Sequence, residues 1–346
     1  MRVLIVKMSA LGDIIHALPV LSYLHQVSPG IEIDWVVEEP FRELLEGNRL
    51  LAMLHTVRTK VWRKSPLSRA TRRELAEIAA ALSGRKYDIV FDIQGNLKSG
   101  LVDRLTKCGD VIGFSPDLLQ EKINLLFTIR QIPSRRHDYH VTDQCLRVVS
   151  IPFGRDFRGM TLSTEISTSA DDDTAAEALL STLADGLVFL CHCGTTWETK
   201  FWYDEGWVSL GKSLLALYPD ATLLFSWGNE TERNRVTGLA GAIGRGARVP
   251  DRYHLKGFTA LLKKVDLVIG GDTGPVHIAA AVGTPTVSFY RASDGKRSGP
   301  RGEHDDVVQA PFPCTACFRT NCDEDADCRR SVTVEMLLKA VRKILH

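Results

Sequence analysis

Short β-prone apolar runs alternate with helix-length stretches from the first residues of the chain, and this rhythm starts twice. Arg2–Val6, Ile31–Val37 and Tyr87–Asp92 make up the first series, with a helical pattern over 69–82 between them. Leu187–Cys191, Ala221–Phe225, Val265–Ile269 and Pro285–Phe289 make up the second. Runs of this kind suit parallel strands covered on both faces, so the pattern predicts two α/β domains rather than one. Residues 152–170 lack periodicity, which sets the boundary near residue 165, with domains over 1–165 and 166–346. The acidic run Asp171–Asp173 then reads as a helix N-terminus, where carboxylates meet free N–H groups and the positive end of the dipole. Val334–Leu345 is expected to be a closing amphipathic helix.

Composition removes several classes of function. A chain of 346 residues has room for two cores. Lys and Arg total 43 against 42 Asp and Glu, so no global charge excess points to nucleic acid, and any basic site must be local. No apolar run approaches the about 20 residues needed to cross a bilayer. Lys7 and Asp13 break up any signal-like start, so the chain is expected to be cytosolic. Of eight cysteines, four fall between Cys314 and Cys328, a local feature rather than a disulfide framework.

In open parallel sheets ligands bind beyond the carboxyl ends of the strands, so the residues after each β-run carry the chemistry. After the first run comes Lys7–His16, where Gly12 permits a tight turn and Asp13 opens a helix; on spacing alone Asp13 is either a cap or a working carboxylate. Neither a G-x-G-x-x-G nor a G-x-x-x-x-G-K-[ST] pattern is present, which argues against nicotinamide and NTPase chemistry. In the second half, Thr195, Thr196 and Lys200 follow a strand, hydroxyls and a cation suited to phosphate as well as to a plain turn. Asp272-Thr273-Gly274-Pro275 leads into a helix whose first N–H groups form an anion site, with His277 one turn in. Trp227-Gly228 followed by Glu232 suits a base and ribose pocket or simple packing.

Taken in order, these pieces resemble the heptosyltransferases of bacterial lipopolysaccharide core synthesis. The resemblance spans nearly the whole chain: Met1–Lys7, Ser9-x-x-Gly12-Asp13, Leu18-Pro19, Asp34–Glu39, Asp92-x-Gln94-Gly95-x-x-Lys98-Ser99, Thr195-Thr196 through Lys200-x-Trp202, Trp227-Gly228 and Asp272-Thr273-Gly274-x-x-His277. It implies the GT-B fold, two Rossmann-like α/β domains facing each other across a cleft. It further implies inverting transfer of heptose from ADP-heptose to the Kdo/inner-core region of lipopolysaccharide, without metal or cofactor. Asp13 takes the catalytic-base position. Thr195, Thr196, Lys200, Glu232, Asp272, Thr273, Gly274 and His277 take donor positions, with Glu232 toward the ribose. Ser9, Gly12, Arg63, Lys64, Lys98 and Ser99 fall on the acceptor side, with Trp62-Arg63-Lys64 matching a basic loop for Kdo. The implied partners are ADP-heptose and Kdo-lipid A or a related acceptor, the latter bringing the protein to the cytosolic face of the inner membrane. Alternatives are a GT-B relative using another nucleotide-sugar or core acceptor, or a silent sugar-nucleotide-binding protein; retention of Asp13 argues against the last.

Two features depart from the pattern. Gln120 and Gln144 stand where members using Kdo-lipid A carry arginines, which leaves Arg58, Lys60, Arg63, Lys64, Arg69, Arg72 and Arg73 to supply positive charge. The second is Cys314-x-x-Cys317-x4-Cys322-x5-Cys328, an insertion over about 311–330 whose thiols stay open among a structural zinc site, disulfides and free cysteines. Cys108, Cys145, Cys191 and Cys193 read as small buried hydrophobes. The acidic groups Asp171–Asp173 and Asp323-x-Asp325-x-Asp327 do not follow β-runs as a nucleotide-metal site would.

Overall fold

The computed structural model, which describes residues 1–119, 121–135 and 137–346, divides into units Met1–Ser167 and Thr168–His346. In the first unit, β1 (Arg2–Val6), β2 (Glu32–Glu38), β3 (Met53–Val57), β4 (Ile89–Asp92), β5 (Val111–Phe114) and β6 (Arg130–Ile132) form one parallel sheet in the order β3-β2-β1-β4-β5-β6. The connecting helices are α1 (Leu11–Ala17), α2 (Pro19–Val27), α3 (Thr59–Lys64), α4 (Arg69–Gly84), α5 (Leu97–Thr106) and α6 (Val141–Ser150). The second unit starts with α7 (Ala170–Leu180). Its strands are β7 (Val188–His192), β8 (Thr222–Ser226), β9 (Ala247–Arg248), β10 (Leu267–Gly271), β11 (Thr286–Tyr290) and β12 (Asp305–Gln309). They form a parallel sheet ordered β12-β11-β10-β7-β8-β9, with helices α8 (Asp204–Leu217), α9 (Glu230–Ile243), α10 (Leu255–Leu262), α11 (Gly274–Ala281), α12 (Gly295–Ser298), α13 (Asp325–Ser331) and α14 (Val334–Leu345).

Counted from its own first strand, each sheet has the order 3-2-1-4-5-6. In that order the crossovers leave the first strand in opposite directions, so a crevice opens at the carboxyl ends of strands one and four. For the first unit this lies between β1 and β4, and for the second between β7 and β10.

Burial explains why the strands are so apolar. Leu4 and Val6 of β1, Val36 of β2 and Val90 of β4 are fully enclosed in one cluster. In the second unit Phe189, Leu223, Phe225 and Ile269 pack with Trp202 and Trp207 and the inner face of α14. Trp202 meets Trp207 and Phe289 at ring distances of 5.2 and 5.7 Å and donates its indole N–H to Val332 O at 2.9 Å, which fixes the floor beneath the β7–α8 loop. The acidic run at α7 is a capping box: Ser169 Oγ accepts from Asp172 N, and Asp172 Oδ2 accepts from Ser169 N at 3.0 Å. Among the described residues no helix is long and apolar enough to cross a membrane.

Candidate functional site

In the second unit β10 ends at Gly271 and the chain turns through Asp272 and Thr273 into α11, with Pro275 in its first turn where no N–H is missed. The N-cap residue Thr273 makes no side-chain cap, and its buried Oγ1 has no partner among the described residues. A hydroxyl left over beside the free N–H groups of a helix start is arranged for an oxyanion. Asp272 lies between two donors, Lys200 Nζ at 2.6 Å and His277 Nε2 at 3.1 Å. Burial alone would raise this carboxyl, but the hydrogen bond and charge of His277, with the charge of Lys200, outweigh it and hold the group well below the ordinary carboxylate range. Lys200 also lies over the Trp197 ring, 4.5 Å from its centroid. Asp272 therefore orients the cation and the imidazole, a positioning task distinct from contacting an anion.

The loop that carries Thr195, Thr196 and Lys200 is clamped from behind by Arg235 of α9. Its guanidinium donates to Asp204 Oδ1 at 2.8 and 2.5 Å, Cys193 O at 3.0 Å and Trp202 O at 3.1 Å, and covers the Phe201 ring. Sequence reading assigned Arg235 no role, because its partners lie 31 to 42 residues away. Glu232 opens α9 and accepts Gly228 N at 2.7 Å. Its carboxyl also closes on Gly194, where a Cβ would sit 2.9 Å from Glu232 Cδ, so a larger residue there would displace the carboxyl. Glu232 thus joins the turns after β7 and β8. Beneath it burial pushes His192 down to about 4, against the opposing pull of Glu232, and its Nδ1 pairs with Ser226 Oγ at 2.9 Å. A cavity of about 820 Å3 includes Thr196 in its wall, but Phe201, Tyr203, Arg235 and α13 form most of the rest, and neither Lys200 nor His277 lines it.

In the first unit Asp13 lies exposed in the first turn of α1, and its Oδ2 accepts Ala10 N at 3.1 Å. The cap expected on spacing alone is therefore present. Gly12 lies in the same turn of α1, and the loop ahead of it, including Ser9, is tied to the β4–α5 turn by Gln94, whose Oε1 accepts Met8 N at 2.9 Å and Ser9 N at 3.0 Å. Lys7 Nζ donates to Ile93 O at 3.0 Å alongside. Gln94 is in turn set by Asp92, which accepts Gln94 N and Gly95 N through Oδ1 and Ser99 Oγ and Asn124 Nδ2 through Oδ2. Ser99 corrects an expectation: it is fully buried, and its hydroxyl caps α5 and binds Asp92, so it shapes the turn instead of meeting an acceptor. Lys98 beside it is half-buried. Deeper in α5, Asp103 is buried with neither carboxyl oxygen hydrogen-bonded among the described residues, and burial together with the Asp92 charge pushes it well up.

Arg63 and Lys64 end α3, exposed and without an ion pair among the described residues. The basic run is smaller than its composition suggests, since Arg58 is paired with Glu74 and Arg73 with Glu77. Gln144 spends its amide on Tyr139 O at 3.3 Å, and Gln120 lies outside the described residues. The four clustered thiols are not drawn together around one point among the described residues. No group of three or more His, Cys, Asp or Glu side chains is gathered for one ion among the described residues, and none of the cysteines is joined in a disulfide. Asp325 is used instead by the buried Arg291, at 2.6 Å, and by Arg329. Cys145, Cys191 and Cys193 are buried as expected, with Cys108 half-buried.

Comparison with known proteins gives consistent matches. The sequence model of glycosyltransferase family 9 (heptosyltransferase) matches residues 75–326. Lipopolysaccharide heptosyltransferase 1 of Pseudomonas aeruginosa is 32% identical over 325 residues, 93% of this chain and 87% of its own length. The protein of the same name from Escherichia coli K12 is 31% identical over 318 residues, 90% of this chain and 94% of its own. Among solved structures, E. coli heptosyltransferase WaaC with ADP superposes with a TM-score of 0.81 at 26% identity, covering 99% of this chain and 100% of its own. WaaC with ADP-2-deoxy-2-fluoro heptose does so at 0.77.

Proposed function

The chain belongs to glycosyltransferase family 9, the heptosyltransferases, and from that premise we propose that it transfers heptose from ADP-heptose to an anionic inner-core sugar with inversion and without a metal ion. Heptose transfer in lipopolysaccharide core biosynthesis, on a GT-B scaffold, is its activity. The observation that carries the finer reading is the α11 N-terminus, with the unpartnered Thr273 hydroxyl next to Lys200 and His277, both held by Asp272.

A sugar diphosphate leaves as an anion, and positive potential at its oxygens lowers the barrier to departure. The α11 N–H groups and Lys200 supply that potential at fixed positions, the part a divalent cation plays elsewhere. Thr195, Thr196 and Gly274 complete the diphosphate contacts, and Glu232 takes the ribose hydroxyls. Asp13 acts on the acceptor: as the hydroxyl oxygen bonds to the anomeric carbon, its proton passes to the Asp13 carboxylate, and the electron pair of the breaking bond leaves with ADP. One attack from the side opposite the leaving group gives one inversion. Arg63, Lys64 and Lys98 receive the acceptor's carboxylate and phosphate charge. A lipid-borne acceptor brings the enzyme to the cytosolic face of the inner membrane.

Product analysis by NMR with Kdo-lipid A as acceptor tests this reading. The new linkage is expected to have the anomeric configuration opposite to the donor's, at a rate unchanged by excess EDTA. A product that keeps the donor's configuration overturns the single displacement, and a rate that collapses in EDTA overturns the metal-free site.

A further inference from the structure

Exposed aliphatic side chains of the first unit gather on two adjoining segments. Leu97 and Leu101, one turn apart, share the outward face of α5, and Leu101 is 52% exposed. Ile123 and Leu126 stand out from a 3-10 turn at Lys122–Leu126, Leu126 being 80% exposed, and Ile129 follows at 61%. The two segments are pinned side by side. Leu97 N donates to Glu121 Oε2 at 2.8 Å, Asn124 Nδ2 donates to Asn96 O at 3.0 Å, and Gly100 leaves α5 bare where the Phe127 ring lies against it.

Scattered exposed leucines need no explanation, but five large aliphatic side chains on about thirty residues of one surface do. The surroundings are basic. Lys98, Arg104 and Lys122 have no ion pair among the described residues, while Glu121 is engaged with the Leu97 amide and Asp103 is buried. Protein-binding hot spots favour Trp, Tyr and Arg, and leucine is under-represented in them. A patch of only Leu and Ile flanked by cations is matched instead to acyl chains beneath anionic headgroups.

We propose that α5 and the Lys122–Leu126 turn form the surface by which this protein docks on an anionic bilayer, the leucines and isoleucines entering the headgroup boundary and Arg104 and Lys122 meeting the lipid charge. The proposal deepens the reading of a lipid-borne acceptor and rests on it for its purpose. Its test contains no acceptor lipid, so the two can fail separately.

The full chain is sedimented with acceptor-free vesicles of roughly three parts phosphatidylethanolamine to one part phosphatidylglycerol, and with phosphatidylcholine vesicles. The wild type is expected to bind the anionic vesicles and to bind phosphatidylcholine more weakly. Leu101→Asp with Leu126→Asp should lower partitioning by about tenfold or more, since two aliphatic side chains no longer leave water. Arg104→Glu with Lys122→Glu should lower it on anionic vesicles only. Transfer to a water-soluble, delipidated acceptor should stay within about twofold of wild type in both pairs, because none of the four residues belongs to the reacting site. Equal partitioning of wild type and the Leu101/Leu126 variant overturns the proposal. So does a wild-type dimer in analytical ultracentrifugation that the same variant dissociates, since the face would then belong to a second copy of the chain.

Discussion

Asp13 combines a visible structural duty with the proposed chemical one. Its Oδ2 closes the first turn of α1 on Ala10 N, and asparagine keeps that acceptor while giving up the ability to take a proton. Asp13→Asn is therefore expected to fold normally and to hold ADP-heptose with an unchanged KM, while kcat falls by about 10²–10⁴. Steady-state kinetics with both substrates check this; near-normal turnover would reduce Asp13 to a cap. Asp103 makes a different prediction. An unfolded aspartate ionises near about 3.9, whereas burial keeps the folded group protonated well above that. Between those two values the folded state binds more protons than the unfolded, so the wild type loses stability as pH rises. Asp103→Asn, which has no proton to lose, should match or exceed wild-type stability in urea at neutral pH, and any advantage should vanish toward pH 4. A wild type that gains on the variant as pH rises would show that Asp103 is ionised in the fold.

Two loops that begin 86 residues apart are joined by a single carboxamide at the level of elements, because Gln94 accepts both Met8 N and Ser9 N just before α1. Removing that oxygen leaves two backbone donors unmet, a cost of about 1–3 kcal/mol for each one that water cannot reach. Gln94→Leu should lower kcat and leave ADP affinity, measured by calorimetry, unchanged. Gln94→Glu, which keeps an accepting oxygen, should recover most of the loss; equal damage from both would mean that Gln94 does not act through this contact. The same contact marks where sequence legibility ends. The strands at the centre of each sheet were readable to within two residues, because burial on both faces demands unbroken apolar runs such as Val3–Val6 and Leu223–Phe225. The outer strands β3, β6, β9 and β12 were not. They are short or partly exposed and mix polar residues into the run, as in Asp305–Gln309. Inner β5 is only four residues long and contains Gly113. Lys200, Asp272 and His277 stood out because they lie in the segments that follow β7 and β10. Ser99 was misplaced although Asn96-x-x-Ser99 is a capping signal, and Gln94 and Arg235 act only through partners distant in sequence.

The whole molecule repeats one strand order, with a crevice at the first and fourth strands of each unit, and the donor and acceptor residues proposed above rest on separate units. Lesions should separate accordingly. Arg63→Ala with Lys64→Ala should raise the acceptor KM several-fold and spare that of ADP-heptose. The difference should shrink as salt shortens the screening length below its physiological value of about 8 Å. A variant that glycosylates Kdo-lipid A normally would leave α3 as a solvated face. The Lys200–Asp272 pair has a further consequence, for the end of the cycle. In the proposed cycle, when ADP departs, the lysine is not stranded as a bare charge in a half-buried loop, because Asp272 stands 2.6 Å away as its resident counter-ion. The empty site is electrically complete, so product release exposes no unpaired ammonium, and the next donor meets a lysine already aimed.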